Sequence, residues 1–261
     1  MPDSPSLAGP LARLDRADAL VQELTAATKA FAATKPYRAT QIDDPNPVNR
    51  RFILDAVDDV PLPIRVRAGE IVHHTRAALD LLVYQLLLRG GEKDDRRLRK
   101  CAFPIVSVHD PADRQKGGDY SAKMKKAIEG VPDAARDRIE AFQPWRPGNP
   151  GEWSHLAQVE ELDNTQKHRL LLTGVVAIRM KNFVFHDNGV QKLIDEAFFP
   201  VRPGAMIIAN GIPPAAPFNR SLTDDVIFHE SGPPSGWPLG HILQNLNNMT
   251  RETIQSFADC F

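Results

Sequence analysis

The sequence predicts an α+β fold, a bundle of about four longer helices with an antiparallel sheet supplied mostly by the C-terminal third. Three observations predict it. Apolar residues recur at helical spacing in three long stretches before residue 172. Short apolar-rich segments punctuated by Gly and Pro follow over 174–230, and a last helical stretch closes the chain. No repeat, heptad pattern or clear linker divides the 261 residues. The whole chain, 1–261, is therefore read as one domain: helical core over about 10–172, β-rich part over about 174–230, closing helix over about 238–259.

After a Pro/Ser-rich tail over 1–10, the spacing of Leu11, Leu14, Ala17, Val21, Leu24 and Ala27 predicts a helix from about Pro10 to Ala33, ended by Pro36. "YRATQI" and "RRFILDAV" flank the turn-rich "DDPNPVN" and predict a hairpin able to join the later sheet. An apolar helix follows over about 65–89, stopped by Gly90 and Gly91. A charged linker over 92–100 leads into an extended "CAFPIV" and a polar loop over 108–119. Short helices are expected at 121–129 and 133–143, the second with Pro132 near its start. A longer helix spans roughly 152–172. "GVVAIRMKNFVFH", a turn at Asn188-Gly189, "VQKLIDEAFFPV", "AMIIAN" and "DDVIFHE" read as strands.

Composition bounds the function. At 42% hydrophobic and 25% charged the chain is ordinary for a globular protein, and a net charge of −1 supplies no global attraction to nucleic acid or anionic membrane. The basic clusters at 94–100 and 123–126 read as solvated surface. Cys101 and Cys260 cannot form a disulfide framework and lack metal-ligand spacing. The N-terminus lacks the basic-then-apolar order of a signal peptide, and the run "LLLTGVVAI" is too short to span a bilayer. The expectation is a cytoplasmic protein with no membrane partner.

Two helices carry the residues capable of chemistry. In the 65–89 helix, His73, Arg76 and Asp80 fall at i, i+3 and i+7, and Tyr84 extends the stripe. In the 152–172 helix, Glu161, Asn164 and His168 repeat that spacing. The first helix is apolar on nearly every other side, so Arg76 and Asp80 are expected to be buried and paired with each other and His73. As structure, the stripe is an i,i+4 salt bridge beside a satisfied histidine; as a site, Asp80 orients His73 or Arg76 in a cavity between helices. In the second helix, Glu161, Asn164 and His168 lie roughly opposite the apolar Leu156, Val159 and Leu162. That geometry fits a solvated face, whereas the choice of Asn and His fits a site. Convergence of both stripes would gather two histidines, two carboxylates and one cation.

No cofactor is required by the sequence. A single divalent metal would draw on His73, Asp80, Glu161 and His168, and Glu70-x-x-His73 and Glu152-x-x-His155 have dinuclear spacing without the matching carboxylate helices. There is no nucleophile elbow, phosphate loop or dinucleotide fingerprint, which disfavours NTP and NAD(P) chemistry.

"EIVHHTRAALDLLVYQL", "FPI" and "ELDNTQKHRLLL" together resemble a family of uncharacterised bacterial proteins with a His-x-x-Arg-x-x-x-Asp helix and a later Asp-Asn-x-x-Lys-His-Arg helix, over about residues 60–175. That resemblance implies no activity. Asn164 and His168 are also similar to the Arg-Asn-x-x-x-His motif of HEPN ribonucleases, with Asp163 at the arginine position. The HEPN likeness implies a homodimer that cleaves RNA, with His168 at a basic groove and Arg76, Lys167 or Arg169 replacing the arginine. The leading expectation is a cytoplasmic bacterial enzyme acting on a small molecule by hydrolase- or lyase-type acid/base chemistry. His73 or His168 would be the acid/base, Asp80 and Glu161 would orient, and Arg76 would hold an anionic group. The alternatives are a HEPN-like ribonuclease or toxin, and a non-catalytic interaction protein in which both stripes are structural.

Overall fold

A long helix opens the described chain, a strand pair separates it from the next helix, and a helix closes the chain after the later strands. The computed structural model describes residues 4–42, 49–106, 120–146, 149, 154–169, 173–187, 190–200, 204, 206–210, 223–228 and 237–261. In order they form α1 (Ala8–Ala33), β1 (Tyr37–Ile42), β2 (Asn49–Val57), α2 (Leu62–Arg89), α3 (Asp95–Leu98), α4 (Tyr120–Ala127) and α5 (Asp133–Ala141). Then come α6 (His155–His168), β3 (Thr173–Asp187), β4 (Val190–Pro200), β5 (Met206–Asn210), β6 (Thr223–Phe228), α7 (Leu239–Gln255) and a 3-10 turn at Ala258–Cys260. The architecture is α+β with antiparallel strands, and the longer helices are α1, α2, α6 and α7. Among the described residues no helix is long and apolar enough to cross a membrane. The expected Asn188-Gly189 turn, the whole 108–119 loop and Glu152 lie outside the described residues.

The chain groups into two compact units, one of Met1–Gln22, Arg67–Leu171 and Leu243–Phe261, the other of Glu23–Val66 and Leu172–Ile242. The second unit holds two three-stranded sheets, ordered β1-β2-β5 and β4-β3-β6. The sequence predicted one sheet. β3 is paired on both edges, with Ala177 opposite Pro200 of β4 and Val176 opposite Val226 of β6, so β5 pairs instead with β2, Asn49 opposite Asn210.

The first unit is helical. Its core is built from Leu14 and Ala17 of α1, Ile71, Leu79, Leu82 and Leu86 of α2, Ile139 of α5, Leu156 and Val159 of α6, Leu243 and Ile254 of α7, and Phe103 and Phe257. Each large apolar side chain so buried contributes about 1.5–3 kcal/mol. α2 stops in a glycine cap: the Gly91 N–H donates to Leu88 and the Glu92 N–H to Leu87, with Gly91 at φ 86°. At Gly90 a Cβ would come within 2.0 Å of the Gly130 carbonyl, so only glycine fits there.

α6 is shorter than the predicted 152–172. Ser154 caps it by accepting the Ala157 N–H at 3.2 Å, and Arg169 is already extended at φ −157°, leading toward β3. "CAFPIV", expected to be an extended piece, belongs to no helix or strand. Its backbone groups are satisfied by side chains instead. The Val106 N–H donates to Gln143 Oε1 at 3.0 Å, and Gln143 Nε2 donates to the Pro104 carbonyl at 2.8 Å.

Candidate functional site

The site lies in the helical unit, where α2 and α6 meet the 101–106 segment. Arg76 is 9% exposed and is held on three sides. Nε lies 2.9 Å from Glu160 Oε2 of α6, Nη1 3.1 Å from Asp80 Oδ1, and Nη2 donates to the Phe103 carbonyl at 2.9 Å. Asp80 Oδ1 in turn accepts the Phe103 N–H at 2.9 Å. One i,i+4 pair on a helix therefore binds both polar groups of a single residue's backbone, as a neighbouring strand would.

The expected Arg76–Asp80 pair is present. The expected uniform burial of the stripe is not. Side-chain exposure rises from 9% at Arg76 to 36% at Asp80 and 58% at His73. Helical geometry explains the gradient, since these residues sit about 75°, 115° and 135° from the middle of the apolar arc of α2. Tyr84, further round, is half-buried.

His73 pairs with α6 rather than with Arg76 or Asp80. Its Nδ1 lies 3.4 Å from Asp163 Oδ1, and Lys167 Nζ lies 2.6 Å from the other oxygen of that carboxylate. Asp163 is 1% exposed. A buried carboxylate flanked by two cation-capable groups is a structural ion pair first of all.

α6 thus meets the stripe of α2 through Glu160 and Asp163, not through the predicted Glu161, Asn164 and His168. Those three are exposed, and Asn164 Nδ2 donates to Glu160 Oε1 at 3.3 Å within its own helix. They stand roughly opposite Leu156, Val159 and Leu162, and the apolar face is the one that packs. The signal missed in the sequence is Asp163, whose helical position falls inside the apolar arc, between Leu156 and Val159. An acid there must be buried and paired. Asp163 also occupies the arginine position of the HEPN pattern, so an acid stands where that motif places a cation.

Arg76 and Glu160 form part of the wall of a cleft of about 290 Å³ whose other side is the 101–106 segment with Met124 and Ala127. Burial pushes the Asp80 carboxyl above its ordinary 3.8, and the negative charges of Glu160 and Asp163 push the same way, against Arg76 and the Phe103 N–H. Burial, aided by Asp80, also raises the Cys101 thiol, so it stays protonated and a poor nucleophile. Arg76 stands among two carboxylates and a carbonyl. An incoming anion would meet those acids as well as the guanidinium, so the anion-holding role expected of Arg76 does not suit its surroundings.

The set expected for one divalent metal, His73, Asp80, Glu161 and His168, is not gathered in one place: among the described residues no three His, Cys, Asp or Glu side chains are grouped to hold an ion. His155, the histidine of the second Glu-x-x-His pattern, sits against Thr253 Oγ1 at 3.0 Å, and burial lowers its pKa to about 4. It is a neutral packing residue. Compared with known family models, curated proteins and solved structures, the chain matches none.

Proposed function

We propose that this chain is a cytoplasmic bacterial enzyme that acts on a small molecule by hydrolase- or lyase-type acid/base chemistry at the Arg76–Glu160 cleft. One observation carries the reading: a single buried guanidinium holds two carboxylates from two different helices, and it lines an open cleft together with one of them, Glu160. Paired carboxylates in unlike environments divide acid and base roles between them. Glu160, 33% exposed and lining the cleft, is placed to accept a proton. Asp80 makes both of its contacts through Oδ1, which leaves Oδ2 to carry one. Arg76 positions the two acids. His73 and His168, first expected as the acid/base, are replaced in that role.

The binding of Phe103 by Arg76 and Asp80 favours a second reading, in which the cluster only pins the 101–106 segment and the protein is non-catalytic. One experiment separates them. Purified protein is screened for turnover of small esters, amides, phosphoesters and β-elimination substrates, with RNA as a further substrate. The enzyme reading expects a small-molecule turnover that Glu160→Gln reduces at least about 100-fold with little change in Tm. No turnover, or turnover indifferent to Glu160→Gln, favours the structural reading. RNA degradation alone favours the ribonuclease.

A further inference from the structure

A second cleft, of about 350 Å³, adjoins the first and has a different chemistry. Arg96, Arg97, Lys100 and Lys126 line it, with Asp94 as its one acid among the described residues. Arg97 is fixed in place, Nη1 3.2 Å from Glu92 Oε2 and Nη2 donating to the Glu129 carbonyl. Asp94 caps α3 by accepting the Arg96 N–H at 2.9 Å. The side chains of Arg96, Lys100 and Lys126 are exposed and enter no ion pair among the described residues. Even counting Glu92 against Arg97, two positive charges are left without a counter-charge.

The two clefts share part of their lining. Lys100, Cys101 and Ala127 line both. Cys101 Sγ donates to the Leu98 carbonyl at 3.0 Å, so a neutral thiol stands at the junction and repels no anion. The shared residues therefore place the cleft of Arg96, Lys100 and Lys126, three cations without an ion pair among the described residues, next to that of Glu160.

We propose that the basic cleft is the phosphate subsite of a small phosphorylated ligand, the remainder of which lies across Cys101 against Arg76 and Glu160. The proposal rests on the small-molecule reading above and names its substrate class. Three mobile cations suit a phosphate dianion better than a carboxylate, which a single fork of Arg97 type would satisfy. They suit a small ligand better than a nucleic acid. A polynucleotide needs cations spread in a stripe along its backbone, whereas these are gathered in one pocket, with Asp94 among them, in a chain of net charge −1. The subsite also supplies the anion-holding group that Arg76, neutralised by its own partners, does not.

The test is calorimetric titration of the full chain with inorganic phosphate, phenyl phosphate and phenol. Both phosphates are expected to bind saturably and phenol not to, with phenyl phosphate the tighter. Lys100→Glu with Lys126→Glu, both at exposed positions, should weaken both phosphates at least about tenfold, and Arg96→Ala several-fold. Glu160→Gln should leave inorganic phosphate within about twofold, since that ion does not reach the first cleft. Absence of saturable binding, binding indifferent to the charge reversals, or an RNA oligomer that outcompetes phenyl phosphate at the same lysines overturns the proposal. The two readings fail separately. Glu160-dependent turnover without phosphate binding removes the subsite alone, whereas phosphate binding without Glu160-dependent turnover supports the subsite and removes the enzyme.

Discussion

Thr75 and Arg76 are consecutive on α2, yet they serve two polar clusters of opposite character. Thr75 Oγ1 lies 3.3 Å from Asn247 Oδ1, and Asn247, wholly buried, donates to the Leu14 carbonyl at 3.1 Å and to Asp18 Oδ1 at 2.6 Å. Asp18 also receives Gln244 and Arg251, each at 2.8 Å. This network joins α1, α2 and α7 around a buried neutral amide, and none of its residues lines either cleft. The Arg76 cluster joins α2, α6 and the 101–106 segment around a cation, and it opens on a cleft. A polar residue in an apolar helix is therefore not by itself a sign of function. The sign is a polar cluster that opens on a cleft, as this one does through Arg76 and Glu160.

The two largest expected effects break one cluster each. Arg76→Met strands Asp80, Glu160 and the Phe103 carbonyl and should cost about 3–5 kcal/mol in urea unfolding. Asn247→Ala should cost about 2–4 kcal/mol through unsatisfied buried partners. The comparison sharpens in the binding assay, where Asn247→Ala should leave the phosphate affinity of the folded protein unchanged. A loss of affinity there would show that the Asn247 network is coupled to the cleft.

Acid titration separates the buried His155 from the partly exposed Asp80 by sign. His155 is held at about 4 against an ordinary 6.5, so between those values the unfolded chain binds more protons than the native one. Its contribution is present above pH 6.5 and is lost as pH falls toward 4, by at most about 3 kcal/mol, and His155→Gln should flatten that loss. Asp80 is shifted upward, so the native state binds the extra proton, and stability falls as pH rises from 3.8 through its folded value. Asp80→Asn should remove that opposing slope. Urea midpoints measured from pH 4 to 7 on both variants check the two signs, and equal slopes would remove the distinction between the groups.

The smallest effect is at His168. Exposed at the end of α6, it should tolerate alanine within about 0.5 kcal/mol, with no change in turnover. A large loss of activity there would return the site to the predicted 161/164/168 face.

The sequence by itself determined what repeats along the chain. Apolar periodicity placed α1, α2, α7 and the six strands, because a helix or strand writes its buried face into a local spacing of 3.6 or 2 residues. It also marked Arg76 and Asp80 as a pair, since i,i+4 contact is a property of one helix. The tertiary structure alone decided what meets across elements. Nothing local says that β5 pairs with β2, that the backbone of Phe103 fills the space between Arg76 and Asp80, or that Lys126 of α4 joins Arg96 and Lys100 around one cleft. The α6 face was readable only in part. The spacing showed that Glu161, Asn164 and His168 oppose the apolar side, but whether the chemistry follows the packed face or the open one depends on the neighbouring helix. Here α2 meets α6 at Glu160 and Asp163, because close packing brings together the residues on and beside the apolar face, and the polar face opposite is left to water.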